Sequence, residues 1–271
     1  MSQHNDTHIS SQQIFLSSKH ADQIYSNADC VFFLDTPIAP PRGTRILLSV
    51  TDFEIPYSFY TINSTNDKLA FVGVTDTITL EHGNYNVNTF IALINEDLAD
   101  VASNITASYV TNKNHIRFNS NTSAISINTT LTTCLFELGF SSSDTQNSTQ
   151  IEGTNGINLA GIPNIYIRIK NITTSNLDSK GQLASTLAKV NVNVNPLEYI
   201  FYMPREPIYQ TINEAQFNSI HLSIEDEDGN KLELNGQYWS TTLSIHYQLQ
   251  RQPNIVLEIE DENKKKEPDK K

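Results

Sequence analysis

Strict two-residue alternation, repeated in short stretches along the chain, is the feature that most limits its fold. In "NIYIRIKNI" Ile165, Ile167 and Ile169 fall on one side, with Tyr166, Arg168 and Lys170 on the other. "LAKVNVNVN" sets Val190, Val192 and Val194 against asparagines, and "YWSTTLSIHYQL" alternates Leu243, Ile245, Tyr247 and Leu249. Side chains that return to one face every second residue belong to strands with one buried face; helical faces recur every three to four residues. Charged residues are only 18% of the 271, and the remaining polar positions are largely Asn, Ser, Thr and Gln. Such residues favour turns and caps over helix interiors, so they punctuate many short strands. The length gives room for one large all-β domain or two smaller ones.

Along the chain, residues 1–12 read as a mobile polar arm, and Ile14–Leu16 opens the first strand. Cys30–Leu34 and Arg45–Ile55 are strands around a proline-rich connection. Ile46, Leu48 and Val50 share a face, and after Val50 the apolar phase moves to Phe53 and Ile55. A bulge near Thr51–Asp52 accounts for that shift. Pro56 then ends the ladder or lies at an edge, and Tyr57, Phe59 and Tyr60 follow within four residues. "KLAFVGV" reads as a strand. From Val87, Phe90, Ile91, Ile94, Leu98 and Val101 recur at helical spacing, with Asn86 or Asn88 as the cap. "ITASYV" and "HIRFNS" make a hairpin, and "LTTCLFELGF" a short helix stopped by glycine. The expected organisation is therefore β-rich residues 13–73, an α/β insertion over 74–142, and β-rich residues 143–251. A charged tail, 252–271, carries "NKKKEPDKK" and reads as disordered. The strands outside the insertion suffice for a two-sheet jelly-roll sandwich, a mainly β single jelly roll with an inserted small α+β domain.

The chain offers little chemistry. "EDEDGN" (Glu225–Asn230) packs carboxylates closely, but it lacks the downstream Glu of a calcium loop and sits between "SIHLSI" and "KLEL", where Asp-Gly reads as a hairpin turn. No metal site is expected. The seven histidines are scattered without HExxH spacing, and no GxSxG, Walker or GxGxxG motif occurs. The expectation is no enzyme, no catalytic residues and no cofactor. A net charge of −12 argues against direct nucleic-acid binding by the folded body. Cys30 and Cys134 show no metal spacing and read as reduced thiols. No apolar run is long enough to span a membrane, and no secretory signal is visible.

The order of motifs carries more. "FLSSKHAD", "RILLSVTDFEIPYSFYTIN", "ITLEHGNYNVNTFIALINEDL", "LTTCLFELGF", "GIPNIYIRIKN" and "DGNKLELNGQYWSTTLSIHYQL" follow one another. The series covers most of residues 14–250. It resembles minor capsid and penton proteins of double-jelly-roll DNA viruses, among them virophages, polinton-like viruses and related large DNA viruses. "IPYSFYTIN" and the Gly-Asn-Tyr turn into the helix are its more specific parts. The resemblance implies a virion protein made in the host cytoplasm. Its pentamers would close icosahedral vertices beside the major capsid protein and possible further minor capsid proteins. A cement subunit, or a receptor- or carbohydrate-binding module, is the alternative. Within this frame Phe59 is the expected core anchor, while Pro56, Tyr57 and Tyr60 are the expected assembly residues, because phenols tolerate a wet boundary.

Overall fold

The computed structural model describes residues 8–144, 146–172, 176–177 and 183–250. The expected arm, apart from residues 8–12, and the expected tail lie outside the described residues. The chain is mainly β. The strands before the helix are β1 His8–Ser17, β2 Gln23–Ser26, β3 Asp29–Ile38, β4 Thr44–Pro56, β5 Lys68–Leu69 and β6 Ile78–Thr79. Helix α1 spans Val87–Val101, followed by β7 Ile105–Val110, β8 His115–Ser120, α2 Leu135–Leu138 and β9 Gln150–Glu152. Next come β10 Asn164–Ile169, β11 Asn176–Leu177, β12 Leu183–Ala184, β13 Thr186–Asn191, β14 Tyr199–Tyr202, β15 Gln210–Ile212, β16 Phe217–Glu225 and β17 Ser240–Leu249.

Two five-stranded antiparallel sheets dominate. One has the order β1-β17-β4-β14, with β15 also pairing β4; the other is β13-β10-β16-β3-β2. The first and last strands are thus neighbours, which ties both ends of the described chain into one sheet. The inward phases of the two sheets meet in one apolar cluster that includes Ile46, Leu48, Ile165, Ile167, Leu222 and Leu243. Trp239 joins the sheets. It is 1% exposed, its ring lies 6.1 Å from both Phe32 of β3 and Phe53 of β4, and its indole N–H donates to the Asn27 carbonyl at 2.8 Å. A buried indole needs such an acceptor.

The expected bulge is present. Asp52 faces Thr242 and Val50 faces Leu243, so Thr51 has no opposite number. That extra residue is what carries the inward phase from Val50 to Phe53.

A second apolar cluster collects residues between Ile62 and Ile151. It is wider than the 74–142 stretch read from sequence, because β5 before it and β9 after it both contribute. Helix α1 buries Phe90, Ile94 and Leu98 near the sheet β7-β8-β9. Asn86 caps it, accepting from the N–H groups of Asn88 and Thr89 while the Thr89 hydroxyl accepts from Asn86 N–H. Asn95 stitches helix to strand, donating to the Ala107 carbonyl at 3.0 Å and accepting from its N–H at 2.7 Å. Gly139, with φ of 76°, ends α2 by letting Phe140 N–H reach the Leu135 carbonyl at 2.8 Å. Two stretches expected as strands are less regular. "KLAFVGV" forms a ladder only at Lys68–Leu69, and "KLEL" contributes a single bridge from Lys231 to Glu225.

Candidate functional site

The aromatic stretch after β4 is where the sequence expectations concentrate. Pro56 does not stop the pairing. Opposite Tyr199 it forms the last rung of β4–β14. Tyr57 N–H then donates to the Glu198 carbonyl at 2.8 Å, and Leu197 N–H to the Tyr57 carbonyl at 2.9 Å. This extra rung turns the Tyr57 ring inward, where it is 4% exposed and stacks on Phe59 with centroids 4.4 Å apart. Burial pushes its phenol pKa up, and a hydrogen bond with Thr61 partly offsets the rise. Pro56 is buried as well, and Tyr60 is half-buried. Phe59 is a core residue as expected, at 2% exposed. Tyr57 and Pro56 join it there, so neither presents surface to a partner.

Beyond them the two most specific motifs touch. Asn84 of the Gly-Asn-Tyr turn accepts hydrogen bonds from the Thr61 N–H at 2.9 Å and the Thr61 hydroxyl at 3.0 Å, and Ile62 bridges to Gly83. The returning chain passes the same point. A Cβ built on Gly161, whose φ is +72°, would lie 2.9 Å from the Tyr57 hydroxyl and 3.1 Å from Thr61 Oγ1. Departing and returning segments thus form one narrow neck.

A cleft of about 800 Å³ opens beside this neck, lined by Thr61, Asn66, Phe136, Glu137, Gly161 and Asp226, among others. Burial raises the Glu137 carboxyl pKa against the opposing donation from Asn66, 2.6 Å away. Phe136 is 70% exposed at the cleft. The "EDEDGN" carboxylates serve different ends. Asp226 closes the turn by accepting from Asn230 N–H at 2.8 Å. Glu225 lies within the sheet against Lys170, with Arg168 Nε at 2.9 Å from its Oε2. Among the described residues no three His, Cys, Asp or Glu side chains gather as a metal-ligand group.

Two further ion clusters are structural. Asp29 is 3% exposed and meets Lys231 and, at 2.5 Å, His221. Burial alone would raise its pKa, but these two partners outweigh it and hold the carboxyl below its usual range. Glu152 accepts from Arg117, Lys113 and His115, which hold its pKa down to about 2. A Ser–His contact exists at Ser244 Oγ and His246 Nε2, 2.9 Å apart. Ser244 is only 4% exposed, so a substrate carbonyl has no route to that oxygen.

The surface that sequence reasoning missed is β14. Its inward residue Ile200 is buried, while Tyr199 and Phe201 point outward, 53% and 70% exposed, with rings 6.0 Å apart. Leu197 and Met203 extend the patch at 90% and 81% exposed. Leu197 holds φ at 76°, a conformation uncommon for a non-glycine residue. The signal was readable in "LEYIFYM", a strand apolar in both phases, where one phase must face outward.

No known protein-family profile matches the chain, and no curated protein does. Among solved structures, a mavirus penton protein matches with a TM-score of 0.46 at 14% identity, over 87% of this chain and 100% of that one.

Proposed function

We propose that the protein is a structural virion subunit of penton type, a single jelly roll with an inserted small α+β domain, whose copies associate at the vertices of a double-jelly-roll capsid. The strand orders β1-β17-β4-β14 and β13-β10-β16-β3 fit the two sheets of a jelly roll. The single observation that carries the assembly role is the outward aromatic phase of β14. Monomeric proteins rarely expose contiguous apolar patches beyond a few hundred Å², and larger ones mark interaction sites. The partners on this reading are further copies, as a homopentamer, and the major capsid protein. Tyr60, at the mouth of the neck, is the remaining sequence-derived candidate for contact.

Electron microscopy of the purified protein and of particles tests this reading. Ring-shaped assemblies and density at vertices are expected; a strict monomer absent from virions would sink it. The cleft beside the neck favours a second reading, a glycan-binding module. Sugars stack on exposed aromatics such as Phe136 and hydrogen-bond to amides and carboxylates such as Asn66 and Asp226. Binding on a glycan array, lost in Phe136→Ala, without vertex density would select it.

A further inference from the structure

We infer that copies of this chain dock head to tail, the β14 edge of one sandwich lying antiparallel against the β1 edge of the next. The inference rests on the self-association proposed above and names its surfaces. In the first sheet β14 and β1 are at opposite ends of the strand order, and among the described residues each is paired on one side only. Open edges of this kind accept another strand unless something blocks them. Neither Ser10–Ser17 nor Tyr199–Met203 contains Lys, Arg, Asp, Glu or Pro, and Glu198 and Pro204 bound the second stretch.

Each edge carries apolar side chains on the outer face of the sheet, one on β1 and several on the β14 side. Phe15 of β1 points outward at 76% exposed, between the inward Ile14 and Leu16. Tyr25, on the edge strand β2 of the second sheet, is 66% exposed. On the β14 side stand Leu197, Tyr199, Phe201 and Met203. In the register without slip β1 reaches Phe201 and Met203, and covering those two would bury roughly 300 Å², since a large apolar side chain carries about 200 Å². That is more than a third of the ~800 Å² that one partner gives to a standard interface.

Strand direction and charge single out a second copy as the occupant. The pairings β1–β17, β17–β4 and β4–β14 are all antiparallel, so β1 and β14 run in opposite senses. Two copies in the same orientation therefore present antiparallel edges to each other. With no slip, Met203, one residue past β14, falls opposite Phe15 of the neighbour, because both align with Asp52 of β4 through its pairings. A net charge of −12 per copy makes close approach repulsive except through uncharged faces, and Ser10–Ser17 and Tyr199–Met203 carry no charged side chain. Different patches meeting in this way form a heterologous contact, which closes into a ring when the rotation allows.

Engineered disulfides test the geometry, since the native Cys30 and Cys134 are both buried. Full-length Phe15→Cys and Met203→Cys chains, co-expressed and mildly oxidised, should cross-link to each other, while either variant alone should not. Phe201→Asp should weaken association at least tenfold in sedimentation, with the unfolding midpoint unchanged. Self-cross-linking of a single variant would mean a face-to-face contact and overturn the inference. Oligomers that form but neither cross-link in the mixed pair nor respond to Phe201→Asp would also overturn it, leaving self-association standing on another surface. A wild-type chain that stays monomeric at all concentrations would remove both.

Discussion

Replacing Tyr57 by alanine separates a core role from an assembly role. The ring is 4% exposed and stacked on Phe59. Truncating a buried aromatic to alanine costs about 3–5 kcal/mol, and a stacked pair contributes about 0.5–1.5 kcal/mol beyond its area. The outer sheet edge nearby can relax a little, so Tyr57→Ala should cost about 4 kcal/mol. Against a total stability of about 5–15 kcal/mol for a folded protein, that is a large share. The single tryptophan, Trp239, is buried between both sheets, so its fluorescence reports sandwich unfolding in urea directly. The midpoint should fall strongly at constant slope, which is the mark of a change in stability alone. Tyr57→Phe keeps the ring and loses the phenol's bond to Thr61, so it should cost only about 1 kcal/mol. An unchanged urea midpoint for Tyr57→Ala, with assembly nonetheless abolished, would refute this reasoning and return Tyr57 to a partner surface.

Other outcomes follow from the buried charges, thiols and turns. The folded-state pKa of Asp29 lies below its unfolded value, so its stabilising contribution is complete above about pH 4 and is lost as pH falls through the folded pKa. Asp29→Asn should therefore lower the urea midpoint at pH 7 and flatten its fall between about pH 4 and pH 2. Burial pushes the Cys30 pKa up to about 11 and raises that of Cys134 as well. Neither thiol should react with Ellman's reagent in the native protein at pH 8, and both should react in urea. Gly139→Ala places a Cβ 2.4 Å from the Asn155 carbonyl oxygen at φ of 76°. It should destabilise the second cluster by more than about 2 kcal/mol, read as faster amide exchange in β8.

Much of the sandwich was legible because local pattern and tertiary role agree. In β10 Ile165, Ile167 and Ile169 are all fully buried, as alternation demands. The phase change in β4 placed the bulge near Thr51–Asp52, where Thr51 is the unpaired residue, and the spacing from Val87 located α1, capped by Asn86 of the two asparagines offered. What failed was set by distant chain. Tyr57 is buried because Glu198 and Leu197 extend the ladder past Pro56 and Gly161 closes over its hydroxyl. Strand β9 hid in a Ser/Thr/Asn stretch, where Ile151 is its single buried residue. "KLEL" alternates as a strand should, yet Leu232 and Leu234 fill the sandwich core from a segment that makes only one bridge. The β14 surface was visible as composition, but period two cannot say which of two apolar phases meets solvent.

The neck at Tyr57, Thr61 and Gly161 has a practical meaning. Chain leaves the sandwich core after Phe59 and returns at Ile162 through one gate, where Thr61 and Gly161 bring the outgoing and incoming segments together. Segments whose ends are close together can be exchanged with little strain on the host fold. The sandwich is in that sense a socket, and the 99 residues between Thr61 and Gly161 a plug. A short turn joining Thr61 to Gly161 would yield a bare scaffold that keeps Tyr57 and Phe59 in its core, and the same junction would accept a foreign domain.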